Sequence, residues 1–286
     1  MENHDSYISN EDIEYLHRTF LLFGSADAPY WFLGLEEGDH PVVEEGSHTA
    51  SEESVDTFIR GLLRKSKRFN EARSLSLRDL CVPKSGLKYL PEIEESGPRT
   101  SKGVKYQSTW GGYIKFLLSV EQVSKSNKWT LKDVKRYQKY DLGALSTTSS
   151  LPRSCLMELF PMARKGRKKT QWPYKTLSSR DDMAYLETPQ SYKQYAEAKR
   201  VEILMSLVKK NEPKYLVCFG DDCKQAIISV VNQKPKNIEI DQGKKTINAS
   251  TMVYGKTRII FSNHPTSHGI SNLYWKNLGS EIASLR

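Results

Sequence analysis

Ser262-Asn263-His264-Pro265-Thr266-Ser267-His268-Gly269-Ile270-Ser271 follows the short run Arg258-Ile259-Ile260-Phe261 and precedes the stretch Asn272 to Leu285. The run reads as a buried strand and the stretch after it as a closing helix. His264 therefore sits where a strand ends and a loop begins. In open α/β sheets the ligand site lies beyond the carboxyl ends of the strands. A neutral imidazole there can donate a hydrogen bond to an oxygen gaining negative charge. A lone His-Pro does no more than punctuate a turn, so the reading depends on the other strand ends.

Three more runs read as strands. Tyr30 to Leu35 ends in the acidic turn Glu36-Glu37-Gly38-Asp39-His40-Pro41. Cys155 to Phe160 ends at Pro161, and Tyr215 to Gly220 ends at Asp221. Between them lie helical patterns. Apolar residues recur at helical spacing in 11–23 (capped by Ser9 or Asn10), 54–68, 109–123, 131–140 (capped by Thr130), 189–211 and 221–231 (capped by Asp221). Residues 70–108 carry little periodicity and several Pro and Gly, and read as loops. Residues 232–257 read as a hairpin or an irregular connection. Strands separated by helices argue for a parallel sheet covered on both faces. The expectation is an α/β fold: a three-layer sandwich with a central, mainly parallel four-stranded sheet. One domain spans 1–286, with 40–150 as a largely helical insertion.

The chain carries 43 Lys and Arg against 34 Asp and Glu, a formal charge of +9. That balance favours phosphate-rich partners. The run Arg164-Lys165-Gly166-Arg167-Lys168-Lys169 concentrates it just past the second strand. Such runs are also often solvated faces. No apolar run approaches the ~18 residues that span a membrane, and Met1 to Asn10 is too polar for a secretory signal. Cys81, Cys155, Cys218 and Cys223 are scattered without a Cys-x-x-Cys spacing, which suits a reducing compartment. A cytoplasmic monomer without metal or organic cofactor is expected.

A parallel sheet would bring Glu36-Glu37-Gly38-Asp39, Glu158, Gly220-Asp221 and His264 to one edge. Carboxylates with a histidine and basic flanks suit hydrolysis of a phosphate-bearing substrate. In order, the chain has Gly-Leu-Glu-Glu-Gly, a polar residue before Leu-Phe-Pro, a strand ending in Phe-Gly, and Asn-His-Pro-Thr-Ser. This series resembles the uracil-DNA glycosylase superfamily. The likeness covers roughly residues 28–38, 154–162, 213–229 and 257–280, and leaves the insertion out.

The resemblance implies an enzyme that flips a base out of DNA and hydrolyses its N-glycosidic bond. By that likeness Glu36 falls on the water-activating residue, with Glu37 or Asp39 as alternatives. His264 falls on the histidine that donates to the base O2. Gly34, Leu35, Gly38, Asp39, Glu158, Phe160 and Asn263 fall around the base. Thr266 and Ser267 fall on the phosphate-compressing loop, and His268 to Ile270 on the wedge that fills the vacated stack. Arg164, Lys165, Arg167, Lys168 and Lys169 would add phosphate contacts. The chain also departs from the family. Gly38 stands where a tyrosine excludes bases substituted at C5, although a turn glycine serves positive φ equally well. Glu158 stands near an asparagine that reads the base edge, and an ionised carboxylate accepts from the C4 amine of cytosine but not from uracil O4.

Together these departures imply a C5-modified cytosine, hydroxymethylated or glucosylated, in bacteriophage DNA, and a role in defence. Three other readings stay open: a repair glycosylase for uracil or another deaminated base, a nucleic-acid-binding module without catalysis, and a nuclease with a metal on Glu36, Glu37 and Asp39. Glu158 would, on its bland reading, form a salt bridge with Arg164 or another basic residue.

Overall fold

The computed structural model describes residues 7–20, 23–36, 41–43, 47–72, 74–75, 108–121, 129–140, 154–162, 172–265 and 267–285. The strands are β1 (Phe23–Ser25), β2 (Tyr30–Glu36), β3 (Ser74–Leu75), β4 (Ser154–Phe160), β5 (Tyr215–Phe219), β6 (Lys236–Asp241), β7 (Thr246–Tyr254) and β8 (Thr257–Ser262). The helices are α1 (Asn10–Arg18), α2 (Glu52–Ala72), α3 (Ser108–Glu121), α4 (Leu131–Tyr140), α5 (Pro189–Asn211), α6 (Asp221–Val231) and α7 (Asn272–Ser284).

Among the described residues the strands form one eight-stranded sheet in the order β3-β1-β4-β2-β5-β8-β7-β6. The four expected strands are its centre, and β4, β2, β5 and β8 are mutually parallel. The expectation of a four-stranded sheet is corrected at both margins. Antiparallel β1 and β3 extend one side, and the antiparallel hairpin β6–β7 extends the other. Strands as short as β1 and β3 carry no readable period. Phe23 was expected to lie in the first helix, but α1 ends at Arg18 and Phe23 opens β1.

Local chemistry explains the helix starts. Ser9 and Asp12 form a reciprocal capping box at α1: the Ser9 Oγ accepts from the Asp12 N–H at 3.2 Å, and the Asp12 carboxylate accepts from the Ser9 N–H at 3.0 Å. Thr188 and Ser191 do the same for α5, with Pro189 in its first turn. At α6 the cap is Gly220 rather than Asp221. Its φ of +89° is a conformation that L side chains rarely adopt.

The central strands are buried on both faces, as parallel strands must be. On β2, Trp31 and Leu33 enter a core shared with α1, α2, α5 and α6, whereas Tyr30 and Phe32 enter one shared with α3, α4 and α7. Gly279 lets α7 approach α3 closely: a Cβ there would fall 2.7 Å from the Ser119 carbonyl carbon.

Arg200 of α5 is only 1% exposed. Its guanidinium donates to the carbonyls of Leu16 (2.9 Å), His17 (3.2 Å) and Thr19 at the end of α1. It also donates to those of Leu159 (2.7 Å) and Glu158 (3.1 Å) in β4. The last carbonyls of a helix lack partners within the helix, and Arg200 supplies them while tying α1 to the carboxyl end of β4.

Candidate functional site

The parallel order turns all four expected strand ends to one edge. Taken in chain order, the parallel strands lie second, first, third, fourth across the sheet (β4, β2, β5, β8). The connections therefore reverse direction between β2 and β5, and in open α/β sheets such a switch point opens a crevice. Glu36 ends β2 and pairs in register with Phe160. Gly220 and the start of α6 follow β5, and His264 follows β8.

Gly34 and Glu158 are register partners on β2 and β4. A Cβ built on Gly34 would fall 2.7 Å from the Glu158 Cδ and 2.8 Å from its Oε1, and closer still to Oε2. The half-buried carboxylate thus lies across the bare backbone of Gly34. Beside it stands Tyr113 of α3, which is 4% exposed. Its ring stacks on Phe32 at 4.9 Å and on Phe219 at 5.0 Å. Burial pushes the Tyr113 phenol well up from its ordinary range, and the Glu158 charge pushes it further. The Cys223 thiol at the start of α6 is raised by burial first, then by Cys218 and Glu158. Both groups stay protonated near neutral pH.

The His264 loop is held from two sides. The His264 carbonyl accepts from the Ser267 N–H at 2.8 Å, and the Ser267 carbonyl accepts from the Ile270 N–H at 3.3 Å. Pro265 presses on α3, where a Cβ on Gly112 would fall 2.6 Å from the Pro265 Cγ. On the far side the Asn263 amide donates to the Asn248 carbonyl of β7 at 3.2 Å. The Ser271 N–H donates to the Gln242 side chain at 2.8 Å. His264 itself is half-buried.

Gly34, Glu158, the end of β2 at Glu36 and the His264 loop come together on this edge. Asn263 serves the loop through β7, and Ile270 packs against the α3–α7 core. Ser267 is half-buried and His268 exposed. Phe160 takes a different place from the pocket wall expected of it. It joins the core on the α5 face, 5.9 Å from Tyr192. Strand alternation fails at this last residue of β4, with Pro161 next in the chain. Glu37, Gly38, Asp39, Thr266, Arg164, Lys165, Arg167, Lys168 and Lys169 lie outside the described residues, as do the side chains of Leu35 and Glu36.

Two contributors went unnoticed in the sequence. Tyr113 reads as an inward position of an ordinary amphipathic helix and Gly112 carries no signal of its own, and only the docking of α3 shows what they touch. Among the described residues no group of three His, Cys, Asp or Glu side chains is placed to hold a metal ion. No described helix is long and apolar enough to cross a membrane. Cys155, Cys218 and Cys223 are free and buried.

No family model, curated protein or solved structure matches the chain, so the likeness to the glycosylase superfamily stands on the quoted motifs alone.

Proposed function

We propose that the chain is a monofunctional DNA glycosylase that removes a C5-modified cytosine from a flipped nucleotide, in the three-layer fold of the superfamily it resembles. The observation that carries the reading is the Glu158 carboxylate laid across Gly34, walled by Tyr113, on the edge that also carries Glu36 and the His264 loop. A half-buried acceptor of this kind suits the C4 amine of cytosine. In the reaction, the bond between the base nitrogen and C1′ breaks and its electron pair leaves with the base. His264 donates a hydrogen bond to the base oxygen that gains charge. The Glu36 carboxylate orients a water and takes its proton as the oxygen bonds to C1′. The products are the free base and an abasic site.

The test is incubation with normal, uracil-containing and naturally modified phage DNA. Released base is identified by mass and abasic sites are counted. Release of modified cytosine ahead of uracil and plain cytosine is expected. Glu158→Asn should shift preference towards uracil, because an amide both donates and accepts, and Gly38→Tyr should block the bulky base. Equal release of uracil and modified cytosine would return the protein to general repair. Binding without any abasic product would make it a nucleic-acid-binding module.

A further inference from the structure

The β6–β7 hairpin rises past the carboxyl edge of the sheet. Ser250 of β7 pairs with Phe261 of β8. Thr246, the first residue of β7, therefore stands roughly 13 Å beyond Phe261 at about 3.4 Å per residue. The turn above it is Gln242-Gly243-Lys244-Lys245, closed by the Gln242 N–H donating to the Lys245 carbonyl at 3.0 Å. Gly243 supplies the positive φ of +86° that the turn requires.

This tip is fastened to the His264 loop. Besides the bonds from Asn263 to Asn248 and from Ser271 to Gln242, the Asn277 amide of α7 donates to the Asp241 carbonyl at 2.7 Å. The Lys245 ammonium lies over Gly269, 2.5 Å from where a Cβ would begin. Gly269 has a φ of +84°, so the loop bends there and leaves room for the lysine. Hydrogen bonds from Asn263, Ser271 and Asn277 thus join the hairpin to the His264 loop and to α7.

Lys244 and Lys245 are both exposed. Among the described residues neither has a carboxylate within ion-pair reach. The nearby Asp241 instead accepts from the Gly243 N–H at 2.7 Å. Some lysines elsewhere are paired with carboxylates. Lys256, at the opposite end of the hairpin, pairs with Glu212 at 2.7 Å, and Lys193 pairs with Asp222 at 3.0 Å. Two cations without a carboxylate partner thus stand at a tip that is hydrogen-bonded to the His264 loop. Solvated ammonium groups that stand beside a nucleotide site suit backbone phosphates.

We propose that the β6–β7 tip is a phosphate clamp, with Lys244 and Lys245 gripping the strand whose nucleotide enters between Glu158 and His264. The proposal rests on the DNA-acting reading above. It is distinct from the basic run Arg164 to Lys169.

The test is the salt dependence of binding to a fluorescein-labelled duplex and to its single strand. Each phosphate contact contributes about 0.9 to the slope of log K against log salt on duplex and about 0.7 on single strands. Lys244→Ala/Lys245→Ala should therefore flatten the duplex slope by about 2. Lys244→Arg/Lys245→Arg should keep the slope, and Lys256→Ala should match the wild type. Unchanged melting temperatures show that the frame survives. Wild-type binding with the wild-type slope in the double alanine variant would overturn the clamp and leave the functional reading standing. A wild type that binds neither DNA would overturn both. Competition by polyglutamate as strong as by DNA of equal charge would assign the tip to acidic polypeptides and overturn the clamp.

Discussion

The Glu158 carboxylate occupies the space in which a side chain on Gly34 would begin. The two residues face each other across β2 and β4, so the absence of a Cβ on one strand decides where the acid on the other can lie. Gly34→Ala forces the carboxylate aside and involves no positive-φ strain, since Gly34 is not among the left-handed glycines. Stability should change by less than about 1 kcal/mol, while selectivity for the modified base falls by about 1–3 kcal/mol, the worth of one base contact. In a Glu158→Ala background the same substitution should cost almost nothing. Additive effects in that double-mutant cycle would show that the two residues do not act through each other.

Gly112→Ala tests the second support. The new methyl meets the Pro265 ring, with Trp275 3.4 Å away behind it. A ring cannot swing aside as a flexible chain end can, so the loop carrying His264 must shift. Turnover should fall about tenfold or more, because small displacements of reacting groups are costly, with the sheet intact by circular dichroism. Full activity would mean that α3 does not set the position of His264.

His264→Ala and Glu36→Gln should each lower single-turnover base release by about 10²–10³, the cost of losing one preorganised partner of a developing charge. Both residues lie at or beyond strand ends, so melting temperatures should stay close to the wild type. A fully active Glu36→Gln together with a dead Glu37→Gln would move the acting carboxylate along by one.

His17 makes stability pH-dependent. It is fully buried among Tyr185, Tyr192 and Tyr195. Burial lowers its pKa to about 4, against the opposing hydrogen bond to Glu14. The unfolded chain, with an ordinary histidine near 6.5, takes up a proton earlier. Stability is therefore present above that value and is lost as the pH falls from 6.5 towards 4, by on the order of 3 kcal/mol. Burial raises Glu14, but hydrogen bonds from Lys199, Tyr195 and His17 outweigh it and hold the carboxyl at about 2. Its contribution is lost at lower pH, below its ordinary range. His17→Phe should flatten the upper limb of a denaturant-monitored pH curve and shrink the lower limb only in part, because Lys199 and Tyr195 still hold Glu14. An unchanged upper limb would place the titration elsewhere.

Arg200→Met should destabilise by about 3 kcal/mol or more, since it strands buried carbonyls of α1 and β4. Arg200→Lys should recover only part, because one ammonium cannot span two elements as the planar fork does. If Arg200→Met melts like the wild type, the Arg200 tie between α1 and β4 is not a stability device. A loss of selectivity at full stability would show instead that it positions Glu158.

Alternation and helix caps made much of this legible in the chain itself. Ser9, Thr130 and Thr188 mark helix starts because a side-chain oxygen next to a periodic apolar face satisfies free N–H groups. The central strands β2, β4, β5 and β8 announce themselves because parallel strands are apolar on both faces. Their shared direction, and with it the gathering of Glu36, Glu158, Gly220 and His264 on one edge, follows from the helices between them.

What needed the tertiary structure was everything set by contacts distant in sequence. The margin strands β1 and β3 are too short to carry a period. Tyr113 and Gly112 look like any buried helix positions until α3 docks against Phe32 and Pro265. The bareness of Gly34 has no meaning until Glu158 lies across it, and only the packed core shows Phe160 on the α5 face against the alternation of β4. Strand and helix are specified by neighbours a few residues apart, whereas a site is specified by which of those elements touch, and that is decided by how the whole core packs.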